Sequence, residues 1–84
     1  SGEPMRITFR CKQYMMNDVA DSFDTNFRIE KLPDDMMNVH VQASESAMLH
    51  GAVQFADAVE VLSPASLRKQ IAETLRNALK KYEI

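Results

Sequence analysis

Apolar and polar residues alternate with a period of two in four short stretches of this chain, and three of those stretches lead into segments of helical period. Met5, Ile7, Phe9 and Cys11 fall on one side of the first stretch, with Arg6, Thr8 and Arg10 on the other, which predicts a half-buried strand over residues 5–11. Met16, Val19, Ala20 and Phe23 then recur at three and four, so residues 13–23 form the first helix. Asp24-Thr25-Asn26 breaks it. A second strand is predicted at Phe27-Arg28-Ile29-Glu30, and Leu32-Pro33-Asp34-Asp35 supplies the proline and aspartates that turns favour. Met37, Val39, Val41 and Ala43 alternate with Asn38, His40 and Gln42, giving a third strand. Ser44 is placed to cap a second helix carrying the stripe Met48, Leu49, Ala52, Val53 and Ala56, with Glu45 in its first turn and Gly51 in its middle.

The last third carries the strongest pattern. Val59-Glu60-Val61-Leu62 reads as a short strand, and Ser63-Pro64 as a turn in which serine caps the next helix and proline opens it. Leu67, Ile71, Leu75, Ala78, Leu79 and Tyr82 then make one apolar stripe, expected to be buried along its length. Arg68, Lys69, Arg76, Lys80 and Lys81 take the remaining surface. The order is βαββαβα: an α+β, ferredoxin-like βαββαβ sandwich with an added C-terminal helix. That helix is free to cover a sheet edge, extend the helical layer or reach a partner.

Composition narrows the class. Eighty-four residues make one small domain, and 45 % hydrophobic with 26 % charged content suits a soluble globular chain. No stretch approaches the roughly 20 apolar residues of a membrane span. Residues 1–4 read as an expression-tag remnant or linker and residues 5–84 as the domain, with no secretory signal pattern at the start. A lone cysteine, Cys11, has no internal disulfide partner, which fits a reducing compartment and predicts a cytoplasmic location. One cysteine and two histidines leave too few ligands for a standard zinc site, and no cofactor is expected. The net charge of −2 divides unevenly, at −5 for residues 1–62 and +3 for residues 63–84. Positive charge late in the last helix complements its macrodipole and solvates its outer face. The alternative use is contact with nucleic acid or an acidic neighbour.

Candidate chemistry lies on the open sheet face. Arg6, Thr8 and Arg10 are expected beside Asn38, His40 and Gln42, with Arg28, Glu30 and Glu60 on the outer strands. Arg6, Arg10, Arg28 and His40 are therefore the candidate ligand or interface residues, because guanidinium forks match phosphate oxygens. The ordinary reading of the same face is solvated cross-strand Arg–Glu pairs. Met15 and Met36, the outward members of two methionine pairs, are candidates for a contact surface. An RNA-recognition domain would present aromatics on this face, and none is here. An acylphosphatase would need a glycine-rich loop after the first strand, and Gly2 and Gly51 are the only glycines. No catalytic spacing is present, so no enzyme is predicted.

Phe55-Ala56, Val59-Glu60-Val61-Leu62, Ser63-Pro64 and Leu67-Arg68, together with the order of elements before them, resemble the C-terminal extension (WCX) domain of bacterial WYL-domain transcriptional regulators. Ala56 stands where that family usually has glycine, which disfavours a left-handed helix terminus there. A tryptophan common in its second helix falls near Gly51 here. The resemblance implies a non-catalytic regulatory domain that contributes to dimerisation and relays an effector signal. It further implies helix-turn-helix and WYL domains as partners in the same regulator, a homodimer, and a nucleotide or nucleic-acid effector. DNA would be read only through the N-terminal domain, since this chain holds neither the DNA-reading helices nor the tryptophan-tyrosine-leucine motif. The alternative is a small-molecule-binding ACT-like sensor, which shares the βαββαβ core. Such a sensor usually binds near a glycine-bearing loop after the first strand, and Lys12-Gln13 has no glycine.

Overall fold

Alternating burial is what holds the sheet together. In β1 (Pro4–Lys12), Ile7, Phe9 and Cys11 are buried while Arg6, Thr8 and Arg10 face out, and β3 (Met36–Ser44) buries Met37, Val39 and Val41 in the same way. The computed structural model describes residues 3–83. A single 3-10 turn (Gln13–Met15) follows β1, then α1 (Met16–Phe23), β2 (Phe27–Lys31), β3, α2 (Glu45–Gln54), β4 (Glu60–Ser63) and α3 (Ala65–Leu79). The sheet order is β2-β3-β1-β4, with every neighbouring pair antiparallel. That is the ferredoxin-like arrangement of an α+β fold, as the pattern predicts. Pro4 already belongs to β1, while Ser1 and Gly2 of the expected tag remnant lie outside the described residues.

The helices cover one face of the sheet. Met15 and Val19, Met48 and Ala52, and Leu67 close the core over the sheet's buried residues, and the Phe9 and Phe23 rings meet with centroids 5.9 Å apart. Ser44 caps α2 as expected, its hydroxyl accepting from the Ala47 N–H at 3.2 Å. At its other end α2 stops without a left-handed residue: Phe55 takes φ −112° and donates its N–H to Gly51, consistent with alanine at position 56. In the β2–β3 hairpin Asp34 and Asp35 both have φ near +60°, the backbone of a primed turn that matches strand twist. Gln13 clamps this hairpin to the end of β1, its side-chain N–H group donating to the carbonyls of Met36 at 2.8 Å and Leu32 at 3.3 Å.

Three expectations are corrected. Met15 is buried, not outward, because the chain enters α1 through a 3-10 turn whose three-residue period shifts the phase of the first helix. Ser63 does not cap α3; it is the last residue of β4, paired with Thr8, and Pro64 occupies the N-cap position with no side-chain bond. The stripe of α3 is buried only at its start. Leu67 is fully enclosed and Ile71 packs on the core, but Leu75 is 37 % exposed, Leu79 57 % and Tyr82 82 %. The helix packs on α2 and β4 and then runs past them.

Candidate functional site

Because neighbours across an antiparallel sheet share a face, register alone assembles the open surface. Arg6 lies opposite Gln42, Thr8 opposite His40 and Arg10 opposite Asn38. On the far side of β3, Arg28 lies opposite His40 and Glu30 opposite Asn38. Every polar position expected on this face is there. Two strand spacings separate β1 from β2, so Arg6 and Arg28 start about 10 Å apart in that direction, near enough for two long side chains to reach one group lying over β3.

The middle of the face is a connected hydrogen-bond network. The Thr8 hydroxyl is 3.0 Å from Nδ1 of His40, and Nε2 of His40 is 3.3 Å from Oε1 of Glu30. The same carboxylate oxygen accepts from the Asn38 amide at 3.4 Å, and Asn38 accepts from Nε of Arg10 at 3.3 Å. The hydrogen bond from His40 does most to hold the Glu30 carboxyl below its ordinary range, with Asn38 next and the Arg28 charge a smaller contributor. Hydroxyl, imidazole and carboxylate thus lie in sequence on the sheet. The network orients His40 and engages both of its ring nitrogens.

Beside this network the face dips into an open, polar hollow of about 560 Å³, bordered by Arg6, Thr8, Arg28, His40 and Gln42 and by Thr25 and Asn26 of the loop before β2. Three of the four candidate residues, Arg6, Arg28 and His40, therefore come together. Arg10 sits in the next row, held by Asn38. Among the described residues neither Arg6 nor Arg28 makes a hydrogen bond or an ion pair. Among the described residues no Arg–Glu ion pair forms within the face: Glu60, opposite Arg10, is paired with Arg68 of α3 at 2.9 Å, and Glu30 is bonded to His40 while it still feels the Arg28 charge. Arg68 also donates to the Val61 carbonyl at 2.8 Å, clipping α3 to β4. Thr25 and Asn26 carried no signal in the sequence beyond breaking a helix; only the return of that loop to the edge of the sheet brings them in.

Elsewhere the chemistry is quiet. Burial pushes the Cys11 thiol up, which disfavours the thiolate that a nucleophile needs. Among the described residues no three His, Cys, Asp or Glu side chains converge, and no helix is long and apolar enough to cross a membrane. Of the methionine candidates, Met36 is half-buried at the hairpin and Met15 belongs to the core.

Comparison with models of protein families matches the WCX domain over residues 3–79. Comparison with curated proteins finds no match.

Proposed function

This chain belongs to the WCX domain family, the C-terminal extension of WYL-domain transcriptional regulators, and from that premise we propose that it is the regulator's assembly and effector-relay domain. It acts through contacts and not through catalysis, and it does not read DNA itself. Its partners are the helix-turn-helix and WYL domains of the same regulator and a second copy of the chain. The polar hollow on the sheet receives a phosphate of a nucleotide or nucleic-acid effector held by the neighbouring WYL domain.

One observation carries the phosphate reading. Arg6 and Arg28 flank a single hollow from either side of β3, and among the described residues neither makes an ion pair, beside the hydrogen-bonding side chains of Thr25, Asn26 and Gln42. Two guanidinium groups over one site suit an oxyanion better than any neutral ligand. His40, tied to Thr8 and Glu30, stiffens the floor. The ACT-like alternative has less support. Its ligand loop after β1 is here a 3-10 turn with Met15 in the core and Gln13 spent on the hairpin.

The test is binding of a labelled single-stranded oligonucleotide to the full-length regulator, followed by anisotropy across a salt series. Arg6→Glu with Arg28→Glu should weaken binding at least tenfold and reduce the salt slope by about two, roughly one for each phosphate that is no longer neutralised. The circular dichroism spectrum should not change, since both side chains are exposed. Unchanged affinity and slope in the double variant would remove the phosphate site.

A further inference from the structure

We propose that the projecting half of α3 is exchanged between two copies of this chain, its apolar stripe seated in the groove between α1 and α2 of the other copy. The inference rests on the assembly part of the preceding reading and gives it a surface.

Two unsatisfied features of the molecule fit each other. The first is the far half of α3. Leu75 and Leu79, with Tyr82 in the turn after the helix, continue the stripe that begins with Leu67 and Ile71 and become steadily more exposed along it. Arg76, Lys80 and Lys81 surround them. An amphipathic helix whose apolar face is increasingly exposed to water lacks part of the packing that normally stabilises it. The second is an apolar groove of about 430 Å³ between α1 and α2, floored by Phe9, Val19, Phe23 and Met48. Phe55, 48 % exposed, stands at its end, and Asp18 and Asp21 of α1 form an acidic rim. Gly51 also lines it, and a side chain begun there would meet nothing within 4 Å.

Charge and geometry select the occupant. An acidic rim beside an apolar floor suits a basic amphipathic helix, and the same chain presents one. The chain does not satisfy itself: no residue of α3 lines the groove, and α3 is fixed at its start by Leu67 and by Arg68 on Glu60 and Val61. A second copy supplies the missing piece and receives one in return. The result is a closed, two-fold pair in which both contacts are the same. The roughly 1,200–2,000 Å² typical of a specific interface is then divided between two equivalent contacts.

The experiment is sedimentation velocity of the chain over a concentration series, with two charge reversals at exposed positions. Arg76→Glu with Lys80→Glu reverses the helix, and Asp18→Lys with Asp21→Lys reverses the groove. Each pair alone should weaken dimerisation at least tenfold, because like charges then meet at both contacts. An equimolar mixture of the two variants should recover the dimer, since every contact in the mixed pair again joins opposite charges. Leu79→Ala should weaken the dimer while leaving the dilute monomer's thermal midpoint in place. A wild-type chain that stays monomeric, reversals without effect, or a mixture that fails to recover would each overturn the exchange. So would an assembly that keeps growing with concentration. Arg6→Glu with Arg28→Glu should dimerise normally; dimer loss in that variant would put self-association on the sheet face instead. Oligonucleotide binding by the reversed variants separates the two readings: if it persists while the exchange fails, the phosphate hollow stands alone.

Discussion

At position 51 the backbone is helical and an added methyl group would meet no atom within 4 Å. Glycine there therefore loses chain entropy on folding and gains no packing in return. Gly51→Ala should stabilise the domain by about 0.5–1 kcal/mol, read as a higher urea midpoint with an unchanged slope. Folding also changes the ionisation of Glu30. Its carboxyl is held below the ordinary glutamate range, so its contribution is complete at neutral pH and is lost as pH falls through and below about 4. Glu30→Gln should lower stability at pH 7 and flatten the acid side of the stability profile. Equal slopes for the two proteins between roughly pH 5 and pH 3 would show that the His40 and Asn38 bonds do not hold in solution.

Among the elements, α3 is divided between two environments, and mutation should expose the division. Leu67 is enclosed at 0 % exposure, and Leu67→Ala should cost about 2–5 kcal/mol, enough to unfold much of the population at physiological temperature. Leu79, near the far end of the same stripe, is 57 % exposed, and Leu79→Ala should change monomer stability by less than about 0.5 kcal/mol. Chemical denaturation at low protein concentration gives both values. Comparable losses at the two sites would mean that the helix folds back onto its own domain. The hairpin shows a similar dependence on its neighbours. Asp34 and Asp35 adopt left-handed backbone that aspartate tolerates better than most residues, and the Gln13 clamp holds them there.

For the molecule as a whole, the charge division of −5 before residue 63 and +3 after it maps onto an acidic body and a basic projecting helix. The proposed self-association, which joins these opposite charges, should therefore weaken as salt is added. Within the full regulator, removal of this domain should leave operator binding measurable by gel shift while abolishing its response to effector. A truncated regulator that still responds normally would remove the relay role. The polar hollow and the α3 projection lie on different parts of the molecule, so effector contact and self-association can be tested by separate variants.

The order of elements, the inward and outward faces of β1 and β3, and the Ser44 cap were all legible in the chain, because they depend on periods of two and 3.6 and on local hydrogen bonding. The same alternation placed Arg6, Arg10, Arg28 and His40 on one face. It could not say which of them meet, since that is set by register between strands far apart in sequence: Thr8 and His40 are 32 residues apart. Nor could it show that Glu60, opposite Arg10 in the register, would be claimed by Arg68 from α3. The phase of Met15 was lost at a junction between 3-10 and α geometry that residue spacing does not mark. Most consequentially, periodicity identified the apolar stripe of α3 but not its length of cover. Where the domain beneath the helix ends is a property of packed volume, and only the tertiary structure reveals that cover falls away from Leu75 through Leu79 to Tyr82.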